Sequence, residues 1–284
     1  MATASLRWYA KKSARLGVTI GSGLSGALLV RRLLGNRSIR VLTYHRVGRA
    51  LRDPFCVSPS VFDEQMSALA ESGRAVSLTQ LEAFVAGREA LVDGACLVTI
   101  DDGLESTLTE ALPVLRRHKV PAVAFVSTNL VGRKLDDVDE RYLDWSELRE
   151  LTDGGVDVGS HAHTHRSLGL MPFAEAREEA SRSRQLLEDG LGCAVRSFAY
   201  PFGTYTDFNA ATDRALAEAG YQVAFNSMHG AIRAGMSPFS LPRVKVEGGD
   251  PDFLFAWLTH GGMDAWRAVD KSLWRLQRVR RELV

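Results

Sequence analysis

The stretch ACLVTIDDG at residues 95–103 decides the fold prediction, because it joins a buried strand directly to a pair of carboxylates. Residues 95–100 are small, apolar or β-branched, a composition typical of a strand that is buried on both faces. Asp101, Asp102 and Gly103 follow without a spacer. In parallel α/β folds, active-site residues lie at the carboxyl ends of strands. The stretch therefore predicts both a parallel strand and a functional site at its end.

Further short apolar runs alternate with helical patterns on both sides of this stretch. We predict strands at 40–44, 95–100, 122–127, 156–158, 197–200, 222–226 and 241–246. Helical spacing is found at 60–72, 108–118, 145–152, 172–188 and 207–219. Such alternation predicts a single α/β domain with parallel strands inside and helices outside. With seven or so units, we expect a distorted (β/α)7-8 barrel over residues 40–260.

The composition is that of an ordinary globular protein. Of the 284 residues, 45% are hydrophobic and 24% are charged, so the chain can bury a full core without disulfide or metal staples. The three cysteines, Cys56, Cys96 and Cys193, have no CxxC spacing. This pattern argues against a disulfide framework and against a cysteine zinc site, and it fits a reducing compartment.

Charge is distributed unevenly between the N-terminal segment and the rest. Residues 1–40 hold eight basic side chains and no acidic one, whereas the remaining residues hold 27 basic against 34 acidic groups. We interpret residues 1–39 as a basic helical segment. Its apolar run at 16–30 is shorter than the ~20 residues that span a bilayer, and no small-residue cleavage site follows it. Residues 261–284 are predicted to form a helical C-terminal tail.

Three interpretations of the N-terminal segment remain open. We favour a peripheral helix on an anionic membrane surface; a helix packed on the barrel and an uncleaved anchor are the alternatives. The expected location is cytoplasmic or peripheral at the cytoplasmic membrane face, without a clear cleavable signal peptide.

Asp101 and Asp102 are adjacent, so their side chains point in different directions along an extended backbone. One carboxylate is then able to bind a metal while its neighbour faces water or substrate. An Asp-Asp-Gly turn at the protein surface is the alternative interpretation, since Asp and Gly are strong turn formers.

His161 and His165 are four residues apart, a spacing that places both imidazoles on one face of a helical turn. With His163 they put three of the seven histidines within five residues. Histidine clusters are favoured metal sites, and a solvated polar loop is the alternative. His163 is expected to point away from the pair.

Taken together, the two clusters predict a catalytic metal site. One carboxylate and two histidines leave coordination positions open, which is typical of catalytic rather than structural zinc. A second carboxylate that does not bind the metal is then available to take a proton from water. The reaction class indicated is metal-assisted hydrolysis of an acyl group.

At this point the sequence resembles the polysaccharide deacetylase family, also called the NodB-homology domain or carbohydrate esterase family 4. The motifs that carry the resemblance are VTIDDG at 98–103, SHAHTH at 160–165 and FAYPFG at 198–203. YHRV at 44–47 and LPRV at 241–244 resemble flanking signatures of the subgroup that acts on poly-N-acetylglucosamine and related exopolysaccharides. The resemblance covers roughly residues 40–260.

The resemblance implies a barrel of seven or eight strands and one divalent metal, usually zinc, on Asp102, His161 and His165. It also implies that Asp101 acts as the general base and that the backbone N–H of Phe202 stabilises the oxyanion. The implied reaction is hydrolytic removal of acetyl groups from N-acetylated sugars of a polysaccharide or glycolipid precursor, by attack of metal-bound water on the amide carbonyl.

Two features depart from the family pattern. The commoner form of the third motif has an arginine just before the Tyr-Pro pair, where this chain has Ala199. We hypothesise that Arg243 reaches in from the last strand to replace it. The family's D-x-x-D-W motif is absent, so the general acid is open between His260 and His45.

Substrate contacts are predicted around the same motifs. We assign His45, the turn 200–203 (Tyr200, Pro201, Phe202 and Gly203) and Trp145 to substrate binding. For Trp145, a core position at the start of a helix is an equal alternative. An N-acetylated glycan or glycolipid is the expected partner, and no nucleic acid is expected. Hydrolysis of O-acetyl or N-formyl groups, or a catalytically impaired carbohydrate-binding protein of the same fold, are the competing functions.

Overall fold

The computed structural model describes residues 6–24, 26, 38–49, 53–135 and 140–272, and its centre is a sheet of seven parallel strands. These strands are β1 (Arg40–Tyr44), β4 (Cys96–Ile100), β5 (Ala122–Val126), β6 (Asp157–Ser160), β7 (Ser197–Ala199), β8 (Val223–Phe225) and β9 (Val244–Lys245). A separate two-stranded ladder pairs β2 (Arg46–Val47) with β3 (Cys56–Val57). All residues of β1, β4 and β5 are buried, as their continuous apolar runs predict.

The sheet curves into a barrel because its two outer strands approach each other. The strand order is β8-β7-β6-β5-β4-β1-β9. Residues before β9 bond to β8: the N–H of Leu241 donates to Ala224 and that of Asn226 donates to Leu241, at 3.0 and 2.9 Å. On its other side, β9 pairs with β1. Residues 241–245 therefore join both ends of the sheet, and the predicted distorted barrel is confirmed.

Helices cover the outside of the sheet. They are α1 (Leu6–Leu24), α2 (Pro59–Glu71), α3 (Leu78–Val85), α4 (Leu112–His118), α5 (Trp145–Asp153), α6 (Phe173–Leu191), α7 (Ala210–Ala219), α8 (Asp252–Thr259) and α9 (Arg267–Ser272). Capping boxes at Ser77, Asp144 and Asn209 start α3, α5 and α7 by satisfying the first N–H groups of each helix. The predicted helix at 108–118 is divided, because a π-helical turn at Thr107–Ala111 precedes α4.

We call the edge of the barrel at the carboxyl ends of its strands the rim, and the opposite edge the floor. Asp101, the residues after β6 and the residues after β7 all lie at the rim. Parallel strands impose this arrangement, since their carboxyl ends share one edge.

The N-terminal helix packs on the barrel wall. α1 contacts α8, and Arg15 and Thr19 are buried. Among the described residues, no helix is long and apolar enough to cross a membrane. Residues 1–5, 25, 27–37 and 273–284 lie outside the described part of the chain. They include residues 25 and 27–30 of the predicted apolar run and the end of the predicted C-terminal tail. Contact of this segment with a membrane stays a prediction.

The described part of the C-terminal tail also packs on the barrel. Trp266 is buried, and Asp270 in α9 accepts a hydrogen bond from the backbone N–H of His229 at 2.8 Å. The three cysteines are free, with Cys56 and Cys96 buried and Cys193 exposed.

Candidate active site

Asp102, His161 and His165 converge at the rim. One oxygen of Asp102, Oδ1, lies 3.5 Å from Nε2 of His161 and 3.5 Å from Nε2 of His165. The candidate donor atoms of all three residues lie within 4.8 Å of one another. The left-handed backbone of Asp102, at φ +76°, turns its side chain toward the two imidazoles. The structure thus brings the three predicted ligands together.

The ring of His161 is oriented by a backbone carbonyl. Its Nδ1 lies 2.7 Å from the carbonyl oxygen of Ala199. A carbonyl only accepts hydrogen bonds, so Nδ1 carries the proton and Nε2 presents its lone pair to the cluster. Burial lowers the pKa of His161 to about 4 despite the nearby carboxylates, which keeps the imidazole neutral at pH 7. A neutral ring with an oriented Nε2 is the form that binds a metal.

The pKa values of Asp102 and His165, the other two members of the cluster, are shifted in opposite directions. Burial by itself lowers the pKa of His165, but its hydrogen bond to Asp102 and the charge of that carboxylate raise the pKa above its usual value. For Asp102, burial raises the pKa, and the hydrogen bond from His165 with the charges of neighbouring histidines brings it well below its usual value. Asp102 and His165 therefore each favour the charged form of the other.

The donor set fits a divalent metal such as zinc. It contains one carboxylate and two imidazole nitrogens, the combination that leaves coordination positions free for substrate or water. The carbonyl of Ala199 behind His161 adds the outer hydrogen bond that metal-binding histidines usually make.

A buried glutamate holds the loop that carries both histidines. Oε2 of Glu179, on α6, accepts hydrogen bonds from the N–H groups of His163 and Thr164 at 3.0 and 2.8 Å. Its Oε1 accepts from the hydroxyl of Thr164 at 2.7 Å. Two residues of the loop, Ala162 at φ +65° and His165 at φ +58°, have left-handed backbones, a conformation that costs about 1–2 kcal/mol for a non-glycine residue. Glu179 stabilises this strained loop.

Asp101 lies beside the cluster and is bound by Arg243. Nη1 and Nη2 of Arg243 donate to Oδ1 and Oδ2 of Asp101, each at 2.7 Å, a bidentate geometry. Both side chains are buried, and Nε of Arg243 donates to the carbonyl of Asn226 at 3.0 Å. Burial raises the pKa of Asp101, but the charge of Arg243, followed by other contacts, lowers it below its usual value. The carboxylate is therefore ionised at neutral pH.

His45 follows β1 and faces the same carboxylate. Its Nε2 lies 4.0 Å from Oδ2 of Asp101, and its side chain is partly exposed. The ring of Phe55 packs edge-on against it, with centroids 4.8 Å apart. His45 is thus at the rim, within reach of a group bound next to Asp101.

The turn after β7 lies against the cluster. Phe202 has a left-handed backbone at φ +62°, and its ring contacts that of His165 at 5.1 Å. Gly203 is also left-handed, and a Cβ there would lie 2.6 Å from the backbone nitrogen of Ser227, so only glycine fits. Pro201 is buried beneath this turn, where its carbonyl accepts from the N–H of Gly203 at 2.7 Å.

Two sequence assignments near the site are corrected by the structure. The side chain of Tyr200 is fully buried and donates to Asp213 at 2.9 Å, so it anchors α7 and does not contact substrate. The ring of Trp145 packs over Gly190 of α6, where a Cβ would lie 2.4 Å away. Its alternative role, a packing residue at the start of a helix, is the one that the structure supports.

His260 lies at the floor, on the other side of the barrel from Asp101. Its Nε2 is 3.4 Å from Nη1 of Arg74, which also donates to the carbonyl of Gly94. Gly94 precedes β4 and Asp101 follows it, and five strand residues span about 16 Å. His260 therefore cannot serve as the general acid.

Sequence reasoning missed Glu179 and Asn226. Glu179 belongs to a helix of charged residues in which no pattern distinguishes it from its exposed neighbours. Asn226 acts through its backbone carbonyl, which no residue type encodes. The signal for Arg243 was the LPRV motif together with Ala199 in the third motif.

Comparisons with known proteins agree with these features. The family described as polysaccharide deacetylase matches residues 90–224. Among solved structures, IcaB from Ammonifex degensii is 30% identical with a TM-score of 0.70, covering 78% of this chain and 97% of that chain. A polysaccharide deacetylase from Bacillus cereus is 26% identical with a TM-score of 0.65, covering 78% of this chain and 69% of that chain.

Curated relatives that have a stated substrate are also similar to this chain. A poly-beta-1,6-N-acetyl-D-glucosamine N-deacetylase from Staphylococcus aureus is 24% identical over 162 residues, which is 52% of this chain and 53% of that enzyme. This chain therefore matches about half the length of the staphylococcal enzyme.

Proposed function

The chain belongs to the polysaccharide deacetylase family, and from that premise we propose that it is a divalent-metal-dependent hydrolase that removes acetyl groups from an N-acetylated glycan of the poly-N-acetylglucosamine type. The observation that carries the proposal is the position of Asp101. This ionised carboxylate is held by Arg243 directly beside the Asp102, His161 and His165 cluster, yet it is not part of that cluster.

Asp102, His161 and His165 would hold the metal, most consistently Zn²⁺ given two imidazoles and one carboxylate. When bound, the metal polarises the acyl oxygen and makes water acidic enough to act as a nucleophile near neutral pH. The hydrogen bond from Nδ1 of His161 to the carbonyl of Ala199 orients Nε2 toward this site.

Asp101 is proposed as the general base. Its bidentate contact with Arg243 leaves the carboxylate negatively charged, so that it accepts the proton of the attacking water. Arg243 also prevents the carboxylate from turning toward the metal ligands, because both of its oxygens are engaged. A base that is fixed in orientation lowers the reorganisation required during the reaction.

The backbone N–H of Phe202 is proposed as the oxyanion donor. Two observations support this assignment: the ring of Phe202 lies against that of His165, and its left-handed backbone is followed by the tight turn at Gly203. A backbone donor is useful there because it is positioned before negative charge develops on the acyl oxygen.

His45 is proposed to donate the proton to the leaving amine. It is partly exposed at the rim, 4.0 Å from Asp101, and His260 is excluded by its position at the floor. A cavity of about 410 Å³ adjoins this part of the rim, lined by residues that follow β1 and β4, among them Arg46, Gly48, Glu105 and Ser106. It offers space for a neighbouring sugar of a polymeric substrate.

Acetate release from a panel of glycans tests the proposal. The panel contains oligomers of β-1,6-linked N-acetylglucosamine, an O-acetylated glycan and an N-formylated glucosamine. We expect zinc-loaded protein to release acetate from the N-acetylated oligomers, a chelator to stop the release, and Zn²⁺ to restore it. Faster turnover of the O-acetyl or N-formyl substrate would replace the proposed specificity, and zinc binding without any turnover would favour a carbohydrate-binding function.

We further propose that residues 1–39 place the protein at the cytoplasmic face of a membrane. Lys12 and Arg15 contact acidic residues of the barrel, so attraction to lipid depends on other basic residues of this segment, such as Arg31 and Arg32, which lie outside the described residues. Co-sedimentation with anionic but not with neutral vesicles tests this proposal; equal recovery with both would contradict it.

A further inference from the structure

Two basic side chains of α1, those of Lys12 and Arg15, form ion pairs with Glu247 and Asp250, which lie in the segment after β9. Nη2 of Arg15 lies 2.9 Å from Oδ2 of Asp250, and its Nη1 lies 3.3 Å from Oε1 of Glu247. Nζ of Lys12 lies 2.7 Å from Asp250 and 3.2 Å from Glu247. The partners are far apart in sequence: Arg15 and Asp250, for example, are separated by 235 positions.

This network is buried. Arg15 is 1% exposed, and the side chains of Glu247 and Asp250 are 5% and 7% exposed. Such pairs differ from surface ion pairs, because removal of one partner leaves the other charge buried and without compensation. Loss of Arg15 would leave both carboxylates with Lys12, and it would also remove the hydrogen bond to the carbonyl of Lys245, so the residues after β9 would be held less tightly.

The segment that would move is the one that carries Arg243. Nη2 of Arg15 also donates to the carbonyl of Lys245 at 3.0 Å, and Lys245 is only two residues, about 7 Å, from Arg243 along an extended strand. β9 contains two residues, so its own ladder bonds provide little resistance to a shift. Arg15 thus holds one end of β9, and the guanidinium of Arg243 at the other end holds Asp101.

A second connection runs from the same segment to His45. The N–H of Gly248 donates to the carbonyl of Pro54 at 3.1 Å, and a Cβ on Gly248 would lie 1.9 Å from the carbonyl oxygen of Cys56. The segment after β9 is therefore packed tightly against the turn that bears Phe55, whose ring contacts His45. Both neighbours of Asp101 are thus supported by residues 245–248.

We propose that Arg15 is a positioning residue for deacetylation: from the N-terminal helix it fixes residues 245–250, and through them the orientation of Arg243 and His45 around Asp101. Neither α1 nor β9 lies within residues 90–224 that match the family, so the site is completed by a segment outside that match. The inference rests on the proposed function for its kinetic part only.

Arg40 provides a matched control. It is likewise buried, at 3% exposure, and its Nη2 lies 2.9 Å from Oδ2 of Asp264 in the C-terminal region. This pair lies at the floor, at the first residue of β1. Arg15→Met and Arg40→Met therefore each remove a buried arginine that pairs with carboxylates of the barrel, two for Arg15 and one for Arg40, at opposite ends.

Hydrogen exchange and steady-state kinetics on the full zinc-loaded chain test the proposal together. In Arg15→Met we expect the amides of Arg243, Val246 and Gly248 to exchange roughly tenfold faster. The kcat for acetate release should fall by about tenfold while KM and zinc affinity change by less than about twofold. Arg15→Lys, which retains the charge, should fall between the wild type and Arg15→Met. Arg40→Met should lose thermal stability but keep its kcat.

An unchanged kcat in folded Arg15→Met, or an equal loss in Arg40→Met, would overturn the proposal, even if exchange is faster. If Arg15→Met does not fold, Asp250→Asn perturbs the same network and is expected to show a smaller change in the same direction; wild-type kcat and exchange in that variant would also overturn it. If the wild type releases no acetate from any glycan, the proposed function fails, whereas the exchange rates of residues 243–248 still decide whether Arg15 holds them.

Discussion

The rim and the floor of the barrel differ in how many non-glycine residues have a left-handed backbone. Four non-glycine residues with left-handed backbones lie at the rim, at Asp102, Ala162, His165 and Phe202. Among the described residues, the one other case is Lys119 at φ +54°, which ends α4 at the floor. A left-handed residue at a helix end is ordinary, whereas four clustered around one group of polar side chains indicate a functional site.

The two ends also differ in what surrounds their arginine-carboxylate ion pairs. At the floor, Arg40 and Asp264 form an ion pair that ties the C-terminal region to β1. At the rim, Arg243 and Asp101 form a pair of similar kind, but Asp101 also lies next to a second carboxylate and two histidines. Under the proposed function, the same type of ion pair stabilises the fold at the floor and orients the general base at the rim.

The largest expected effect tests Asp101 itself. Asp101→Asn should reduce acetate release by roughly a thousandfold, because the amide cannot accept the proton of water. Zinc content should stay at one ion per chain within error, since Asp101 is not a member of the ligand cluster. Metal analysis and turnover on the same preparation check this; turnover close to that of the wild type would refute the assignment of the base.

Comparison of Arg243→Met with Arg40→Met tests whether the two pairs have different roles. Arg243→Met leaves the buried carboxylate of Asp101 without its guanidinium and should lose about 3 kcal/mol or more in the free energy of unfolding. Arg40→Met should also lose stability, but less, because Asp264 is partly exposed. Only Arg243→Met should lose activity, by roughly a hundredfold, because Asp101 is no longer oriented. Denaturant unfolding and turnover measure the two effects. Equal losses of activity in both variants would remove the distinction between rim and floor.

Metal removal gives the next effect in size. Adding Zn²⁺ to chelated protein at a hundred times its Kd should raise the free energy of unfolding by about 2.7 kcal/mol, because the metal binds the folded state. Asp102→Ala should abolish this gain, whereas Asp264→Ala at the floor should keep it on a less stable background. Thermal unfolding with and without Zn²⁺ measures the gain, and a zinc-dependent shift that persists in Asp102→Ala would argue against the cluster.

The smallest effect concerns backbone strain. Lys119 is exposed, so Lys119→Gly should relieve its left-handed backbone and stabilise the protein by about 0.5–1 kcal/mol. Ala162 is fully buried, and Ala162→Gly should be nearly neutral, because relief of strain is offset by loss of a buried methyl group worth about 0.8 kcal/mol. Thermal unfolding distinguishes them; a larger gain from Ala162→Gly would mean that strain at the rim exceeds the strain at a helix end.

Sequence predicted much of the barrel because its strands are short, continuous and apolar. β1, β4 and β5 have nearly the predicted bounds, since burial on both faces leaves only one composition possible. β9 is shorter than predicted, because Leu241 bonds to β8 while only Val244 and Lys245 pair with β1. α3 was missed, as its eight residues are too few for a clear period.

The candidate site was predictable where side-chain type specifies the chemistry. Asp101, Asp102, His161 and His165 follow strand ends, and carboxylates and imidazoles at such positions have few structural roles. Tyr200 and Trp145 were misassigned, because an aromatic side chain near a motif packs in the core as readily as it faces a ligand.

By itself, the amino-acid sequence determined the parallel barrel and the identity of the groups at its rim, since hydrophobic periodicity and strand-end position are local properties. Arg243 was the one partner that the sequence suggested; only the tertiary structure decided its contact with Asp101 and which other partners those groups have. Arg243 on Asp101, Glu179 under the histidine loop and Arg15 beneath β9 are joined across 142, 15 and 235 positions. The physical reason is that a buried charge requires compensation by whichever opposite charge or hydrogen-bond donor the fold brings near, and sequence separation places no limit on where that group originates.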